Sequence, residues 1–204
     1  MHWLWSADDS VFRLLNGHPS AAPVRALAGV LLRLGVGGAL WWAIFLLAFV
    51  AGGRRGRRIA VTGAVAVLLA HVTAVWGLEG LVQRADPSAV LPRGVFTLTA
   101  FQPRFSFPAS EAAQAFAAVP YLRRSGAAGS ALAWLLAGGM AWAEVYAGAS
   151  FPTDALAGLL VGLLCASAAL WLLGNPFRRP VGQVIPIPRG HRPGGDTRPA
   201  LREP

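Results

Sequence analysis

The stretch that decides the fold is Glu144–Gly158, which reads EVYAGASFPTDALAG. It lies between two apolar runs, Gly129–Tyr146 and Ala155–Leu173. Each run approaches the roughly 20 apolar residues that a helix needs to cross a bilayer. The stretch therefore joins two predicted membrane spans and places its polar residues at one face of the membrane.

The composition of the whole chain is that of a membrane protein. Of its 204 residues, 55% are hydrophobic and only 13% are charged, which does not fit a soluble domain of this length. We expect one membrane domain over residues 1–174. The remaining residues, 175–204, are rich in Pro, Gly and Arg without apolar periodicity, and are predicted to be a disordered cytoplasmic tail.

Five apolar segments are candidates for membrane-spanning helices. The expected fold class is an all-α integral membrane protein, a bundle of about five transmembrane helices. Residues 1–34 carry arginines among apolar residues at helical spacing, which predicts interfacial or partly inserted N-terminal helices. The five segments are Val36–Val50 with its flanks from Leu27, Ile59–Val82, Ala109–Leu122, Gly129–Tyr146 and Ala155–Leu173.

The placement of arginine predicts the orientation. All 18 basic residues are Arg, and they concentrate at 54–58, at 123–124 and in the tail. With five spans these places share one side, which the positive-inside rule assigns to the cytoplasm of a bacterial-type plasma membrane. The N-terminus and the loops 84–107 and 147–154 then face outward. Nucleic acid is excluded as a partner because no reader motif is present.

Residues 143–158 resemble the third signature of the type 2 phosphatidic acid phosphatase superfamily, Ser-Arg-x5-His-x3-Asp. The connecting residues Tyr146, Gly148 and Pro152 match, and so does Asp154. Ala143-Glu144 stands at the Ser-Arg positions, and Ser150 stands at the His position.

Two further signatures of that family align in the expected order. The first, Lys-x6-Arg-Pro, aligns with residues 79–87, where Glu79 and Asp86 take the Lys and Arg positions and Arg84 is the remaining cation. The second, Pro-Ser-x-His, aligns with residues 108–111, where Glu111 takes the His position and Ser110 can replace the Ser by a shift of register. The similarity covers roughly residues 10–174. The nearest resemblance is to bacterial undecaprenyl-diphosphate phosphatases.

The resemblance implies phosphate-ester chemistry without a metal or other cofactor. In the family an Asp orients a nucleophilic His, a second His protonates the leaving group, and cations hold the phosphoryl oxygens. Carried over by position, the catalytic candidates are Asp154, Glu111 and Ser150. The substrate-binding candidates are Arg84, Glu79, Asp86, Ser110 and Glu144. Because most catalytic residue types are replaced, the resemblance implies that phosphatase activity is lost or altered.

Acidic residues gather at these positions. Five of the nine in the chain fall there: Glu79, Asp86, Glu111, Glu144 and Asp154. Carboxylates near a bilayer are functional candidates by default, and an oxygen-rich cluster suits a divalent cation such as Mg²⁺ or Ca²⁺. Alternatively, the acids pair with Arg84, Arg93 and Arg104, or they form a rearranged catalytic site.

Three functions remain open from the sequence. The first is a phosphatase-like protein that retains a polyprenyl or phospholipid phosphate as its ligand. The second is a lipid phosphoesterase that depends on a cation held by the acidic cluster. The third is a non-enzymatic lipid-binding or transport protein that uses the bundle as a scaffold.

Overall fold

The computed structural model describes residues 2–16, 21–91, 95–97, 105–123 and 126–174. Most of these residues form helices, and no strand occurs among them. The helices are α1 (His2–Asn16), α2 (Ala22–Gly35), α3 (Ala39–Ala51), α4 (Gly53–His71), α5 (Glu79–Val82), α6 (Pro87–Val90), α7 (Ser110–Leu122), α8 (Gly126–Tyr146) and α9 (Pro152–Leu173). A 3₁₀ turn at Val36–Gly38 joins α2 to α3, and a π-helical segment at Val72–Leu78 joins α4 to α5.

The predicted fold class is confirmed. All five apolar segments are helical, and a helix also forms at the N-terminus. Within the residues described, three stretches are long and apolar enough to cross a membrane: Ala22–Ala51, Gly53–Val90 and Pro152–Leu173. Their outer surfaces expose large apolar side chains such as Leu46, Leu164 and Trp171, which suits contact with lipid.

The centre of the bundle is the close contact between α7 and α9. The facing side of α7 is rich in alanine, and its residues 112–119 are buried. Gly158 and Gly162 of α9 lie against it: a Cβ atom at Gly162 would stand 2.3 Å from the carbonyl oxygen of Ala113. Small residues four apart allow two helix backbones to approach within a membrane. Tyr121 fixes the far end of the pair by donating a hydrogen bond to the carbonyl of Ala166 at 2.9 Å.

Glycines also set the path of the helices that pack around this pair. Gly37 and Gly38 have φ values of +55° and +74°, in the left-handed region that other residues rarely adopt. They end α2 and redirect the chain into α3. In α4, Gly63 lies against the ring of Phe45, so that α3 and α4 pack closely.

Two interruptions position the polar residues at one end of the bundle. The π-helical segment Val72–Leu78 changes the phase of the helix just before Glu79, a kind of irregularity that is frequent at functional sites. Gln83 then adopts a left-handed conformation (φ +49°) and ends α5. The chain leaves the helix at Arg84, whose side chain points back to the start of α9.

The starts of α7 and α9 lie side by side at this same end. The amide of Ala109 donates a hydrogen bond to the carbonyl of Asp154 at 3.1 Å. The arginines at 54–58 and Arg123 belong to the opposite ends of α4 and α7. These arginines and the motif residues therefore lie at opposite ends of the bundle, as predicted. Arg124 and the tail at 175–204 lie outside the described residues.

Candidate functional site

Arg84 forms the centre of a charged network at the start of α9. Its Nη1 lies 2.5 Å from Oδ1 of Asp154, and its Nη2 lies 2.7 Å from Oδ2 of Asp8. The side chains of Asp8 and Asp154 are 2% and 0% exposed, and that of Arg84 is 12% exposed. One guanidinium therefore links two buried carboxylates. For Asp154, this is the pairing with Arg84 that was one of the alternatives left open by the sequence.

The first turn of α9 holds this network in place. Oδ2 of Asp154 accepts a hydrogen bond from the amide of Phe151 at 2.9 Å, which caps the helix. The ring of Phe151 lies under the Arg84 guanidinium, with 4.1 Å between the guanidinium carbon and the ring centroid. That distance is within the range of a cation–π contact. Oδ2 of Asp154 and one face of Arg84 are thus fixed by the same helix turn, and Oδ1 of Asp154 is left for the guanidinium.

Thr153 adds donors at the helix N-terminus. Its amide donates to Oδ1 of Asp8 at 3.0 Å, and its hydroxyl donates to Oδ2 of Asp8 at 2.6 Å. The N-terminus of a helix favours anions because its first amides lack partners within the helix. Asp8 is the anion that this site holds.

Glu79, Glu111 and Glu144 form a second acidic group. Oε1 of Glu144 accepts a hydrogen bond from the amide of Glu111 at 3.0 Å, and Glu79 lies within electrostatic range of Glu111. Glu144 is 2% exposed, and its Oε2 has no hydrogen-bond partner in the part of the chain that the structure describes. Placing acids this close together is costly unless a proton or a cation compensates.

The remaining candidates have local roles. Asp86 caps the start of α6, accepting hydrogen bonds from the Ala89 amide at 3.0 Å and from the Ser88 hydroxyl. Ser110 donates a hydrogen bond to Oε2 of Glu111 at 2.8 Å. Ser150 is buried, and its hydroxyl faces the carbonyl of Ser106 at 3.5 Å.

The five acids therefore lie in three places: Asp154 with Arg84, the three glutamates together, and Asp86 at α6. Over the described ranges, no group of three or more His, Cys, Asp or Glu residues is arranged to hold a metal ion. Arg93 and Arg104, which the sequence offered as further partners for the acids, lie outside the described residues.

Sequence reasoning missed the N-terminal helix as part of this site. Asp8 and Thr153 complete the network around Arg84, and Asn16 of α1 donates hydrogen bonds to the carbonyls of Phe96 and Tyr146, each at 2.8 Å. The available signal was the spacing of Asp8, Phe12 and Asn16, which repeats every four residues and puts all three on one face of a helix.

The partners of Asp154 determine what this arrangement can do chemically. Its carboxylate contacts the guanidinium of Arg84 and the backbone amide of Phe151. A carboxylate in this setting fixes a cation and a helix turn. The donors around Asp8, in contrast, are suited to an oxyanion: Nη2 of Arg84, the Thr153 amide and the Thr153 hydroxyl.

Comparisons with known proteins agree with this fold. The profile of the PAP2 superfamily matches residues 59–178, which is more than half of the chain. A search of curated protein sequences finds none that matches.

Two solved structures share the fold. LpxE of Aquifex aeolicus superposes with a TM-score of 0.67 at 24% identity, over 79% of this chain and 93% of that one. A transmembrane PAP2-type phosphatidylglycerolphosphate phosphatase of Bacillus subtilis superposes with a TM-score of 0.62 at 19% identity, over 84% and 87% of the two chains. The resemblance stated from the three signatures is confirmed, and the chain belongs to the PAP2 superfamily.

Proposed function

We propose that this protein binds a phosphate-bearing membrane lipid at the Arg84 end of the bundle, and that the metal-free phosphatase chemistry of its family is lost or altered. The observation that carries this proposal is the contact between Asp154 and Arg84 at 2.5 Å. In the family, an Asp at this position is expected to orient a nucleophilic histidine. Here the same carboxylate holds a guanidinium, which cannot attack phosphorus.

The positions aligned with the two histidines support the loss of this chemistry. Glu111 accepts a hydrogen bond from Ser110 and neighbours Glu144, so it brings negative charge to where a phosphoryl group would receive a proton. Ser150 faces a backbone carbonyl, and a serine needs a general base to act as a nucleophile. The lipid ligand is a polyprenyl or phospholipid phosphate.

The proposed location is a bacterial-type plasma membrane. The Arg84 end faces outward, and the arginines at 54–58, at 123–124 and in the tail 175–204 face the cytoplasm. The positive-inside rule supports this orientation. The apolar helices and the membership of the PAP2 superfamily support the membrane location itself.

The test is a pair of measurements on purified protein in detergent. We expect short-chain phosphatidic acid to bind and phosphatidylcholine of the same chain length not to bind. With EDTA present, we expect no appreciable phosphate release from phosphatidic acid or undecaprenyl diphosphate. Hydrolysis in EDTA that disappears in the Asp154→Asn variant would show that the chemistry is retained and that the proposal is wrong.

A cation-dependent phosphoesterase is the second candidate, and the observation favouring it is the unpartnered Oε2 of Glu144 in the glutamate group. Turnover that begins only when Mg²⁺, Mn²⁺ or Ca²⁺ replaces EDTA would favour this reading. It should then be lost in Glu111→Gln, since the amide keeps the shape of the side chain and removes its charge. Monovalent salt at matched ionic strength is the control for simple screening.

A further inference from the structure

The N-terminal helix α1 covers the site through one face. Asp8, Phe12 and Asn16 are spaced four residues apart, so they lie one above the other on the helix. We call these three residues the α1 docking face. Each is at most 5% exposed as a whole residue, whereas Val11 and Leu14 on other sides of the helix are 45% and 71% exposed.

The two ends of the α1 docking face contact both segments that border the site. At one end, Asp8 binds Arg84 and Thr153. At the other end, Asn16 donates to the carbonyls of Phe96 and Tyr146 and accepts a hydrogen bond from the Phe96 amide at 2.8 Å. The helix therefore bridges the segment that follows α5 and the connection between α8 and α9.

The centre of the α1 docking face is apolar. Phe12 packs against Phe151, with ring centroids 5.5 Å apart, and shares a small apolar cluster with Val145. Phe151 in turn carries the guanidinium of Arg84 on its ring. Movement of α1 away from the bundle would thus uncover Val145, Phe151 and one side of Arg84 together.

We propose that α1 is a closing element for the lipid-phosphate site and that Asp8 occupies the donors that a phosphoryl group uses. The proposal rests on the lipid-phosphate binding put forward above. When Asp8 leaves, Nη2 of Arg84, the Thr153 amide and the Thr153 hydroxyl all point to the position that its carboxylate held. Asp154 still accepts from Nη1, so the guanidinium keeps its orientation. Its Nη2 then donates to the ligand in place of Asp8.

Competition between two anions for one set of donors has a thermodynamic consequence. A phosphate monoester has three oxygens and up to two charges, so it satisfies the same donors at least as well as a carboxylate. The observed affinity for lipid phosphate equals the affinity of the open form multiplied by the fraction of molecules in which α1 is open. Weakening the α1 docking face should therefore increase both the opening of α1 and the affinity for the ligand.

The test uses a thiol that α1 covers. Val145 is 3% exposed and belongs to the same apolar cluster as Phe12, so the reaction rate of Val145→Cys with a water-soluble maleimide reports the opening of α1. Cys165→Ala removes the native thiol from the background. We expect Asp8→Asn, and separately Asn16→Ala, to raise the labelling rate at least about tenfold, which corresponds to about 1.4 kcal/mol.

Two controls accompany this test. Asp9→Asn makes the same change of charge one residue away and off the α1 docking face, so its labelling rate should stay within about twofold of the parent. Dihexanoyl phosphatidic acid should raise the labelling rate of the parent, and dihexanoyl phosphatidylcholine should not. The lipid experiment needs no substitution in α1 and so remains decisive if a variant fails to fold.

The outcomes separate this inference from the proposed function. The closing role of α1 is overturned if the parent and Asp8→Asn bind phosphatidic acid equally well and neither the substitutions nor the lipid change the labelling rate. Lipid binding itself then stands. An equal rise in Asp9→Asn also overturns it, because the effect would then follow the charge of the whole helix. Absence of binding to both proteins overturns the proposed function, and with it the competing role of Asp8.

Discussion

Replacing Arg84 by Met should cost this protein a large part of its stability. The change removes one cation from between two carboxylates that are 2% and 0% exposed. Removing one partner of a buried pair costs about 3–5 kcal/mol, because the remaining charge is left without compensation. Two carboxylates lose their partner here, so we expect a loss near 5 kcal/mol, against a total of about 5–15 kcal/mol for a typical domain.

Chemical unfolding in detergent micelles would measure this loss, with the buried thiol of Cys165 as the reporter of unfolding. Arg57→Met is the matched control, since Arg57 is exposed at the other end of the bundle; surface changes of this kind stay within about 0.5 kcal/mol. The triple variant Asp8→Asn, Arg84→Met, Asp154→Asn should recover at least half of the loss, because no charge remains in the buried network around position 84.

Two results would refute this reasoning. One is a loss below about 1 kcal/mol in Arg84→Met, which would show that the two carboxylates do not need the guanidinium. The other is a triple variant no more stable than the single variant. That outcome would show that the loss of stability comes from the lost packing of Arg84 on Phe151 and not from uncompensated charge.

Two further predictions concern packing and orientation. Gly162→Ala should destabilise the protein by about 1–3 kcal/mol through overpacking against the backbone of α7. Gly138→Ala should be neutral or slightly stabilising, because nothing lies within 4 Å of a Cβ added there. Equal effects of the two changes in the same unfolding assay would contradict the close contact between α7 and α9. Cysteines introduced at Arg57 and in the tail 175–204 should react with membrane-impermeant reagents only after the cells are opened, and labelling of the tail in intact cells would reverse the proposed orientation.

The sequence was a good guide to the helices because the length of an apolar run is a local property. The segment predicted at Ile59–Val82 is covered by Gly53–Val82, and the segment predicted at Ala155–Leu173 by Pro152–Leu173. The meeting of Arg84 and Asp154 was also among the expected pairings. Both residues belong to motifs at the same end of predicted spans, so helix direction alone brings them near each other.

The rest of the site depends on contacts that no local pattern contains. Asp8 and Arg84 are 76 residues apart in the chain, and nothing near Asp8 indicates its partner. The separation of the acids into distinct places follows from helix rotation and from the turn at Asp86. The π-helical segment before Glu79 rotates the following residues about the helix axis, and this rotation affects which carboxylates face each other. The alignment of a sequence motif contains no information about such a rotation.

The contact between α7 and α9 bears on how such a chain can change its chemistry and keep its shape. Alanine methyl groups, glycine hydrogens and backbone atoms make this contact, and the charged residues stand at the starts of the two helices, beyond the zone of closest approach. Replacing a charged side chain at the site adds no atom to the contact around Gly162. The packing of the two helices therefore does not depend on which side chains stand at the reactive end. A lineage can exchange one chemistry for another there without rebuilding its scaffold, provided that each new set of buried charges is compensated.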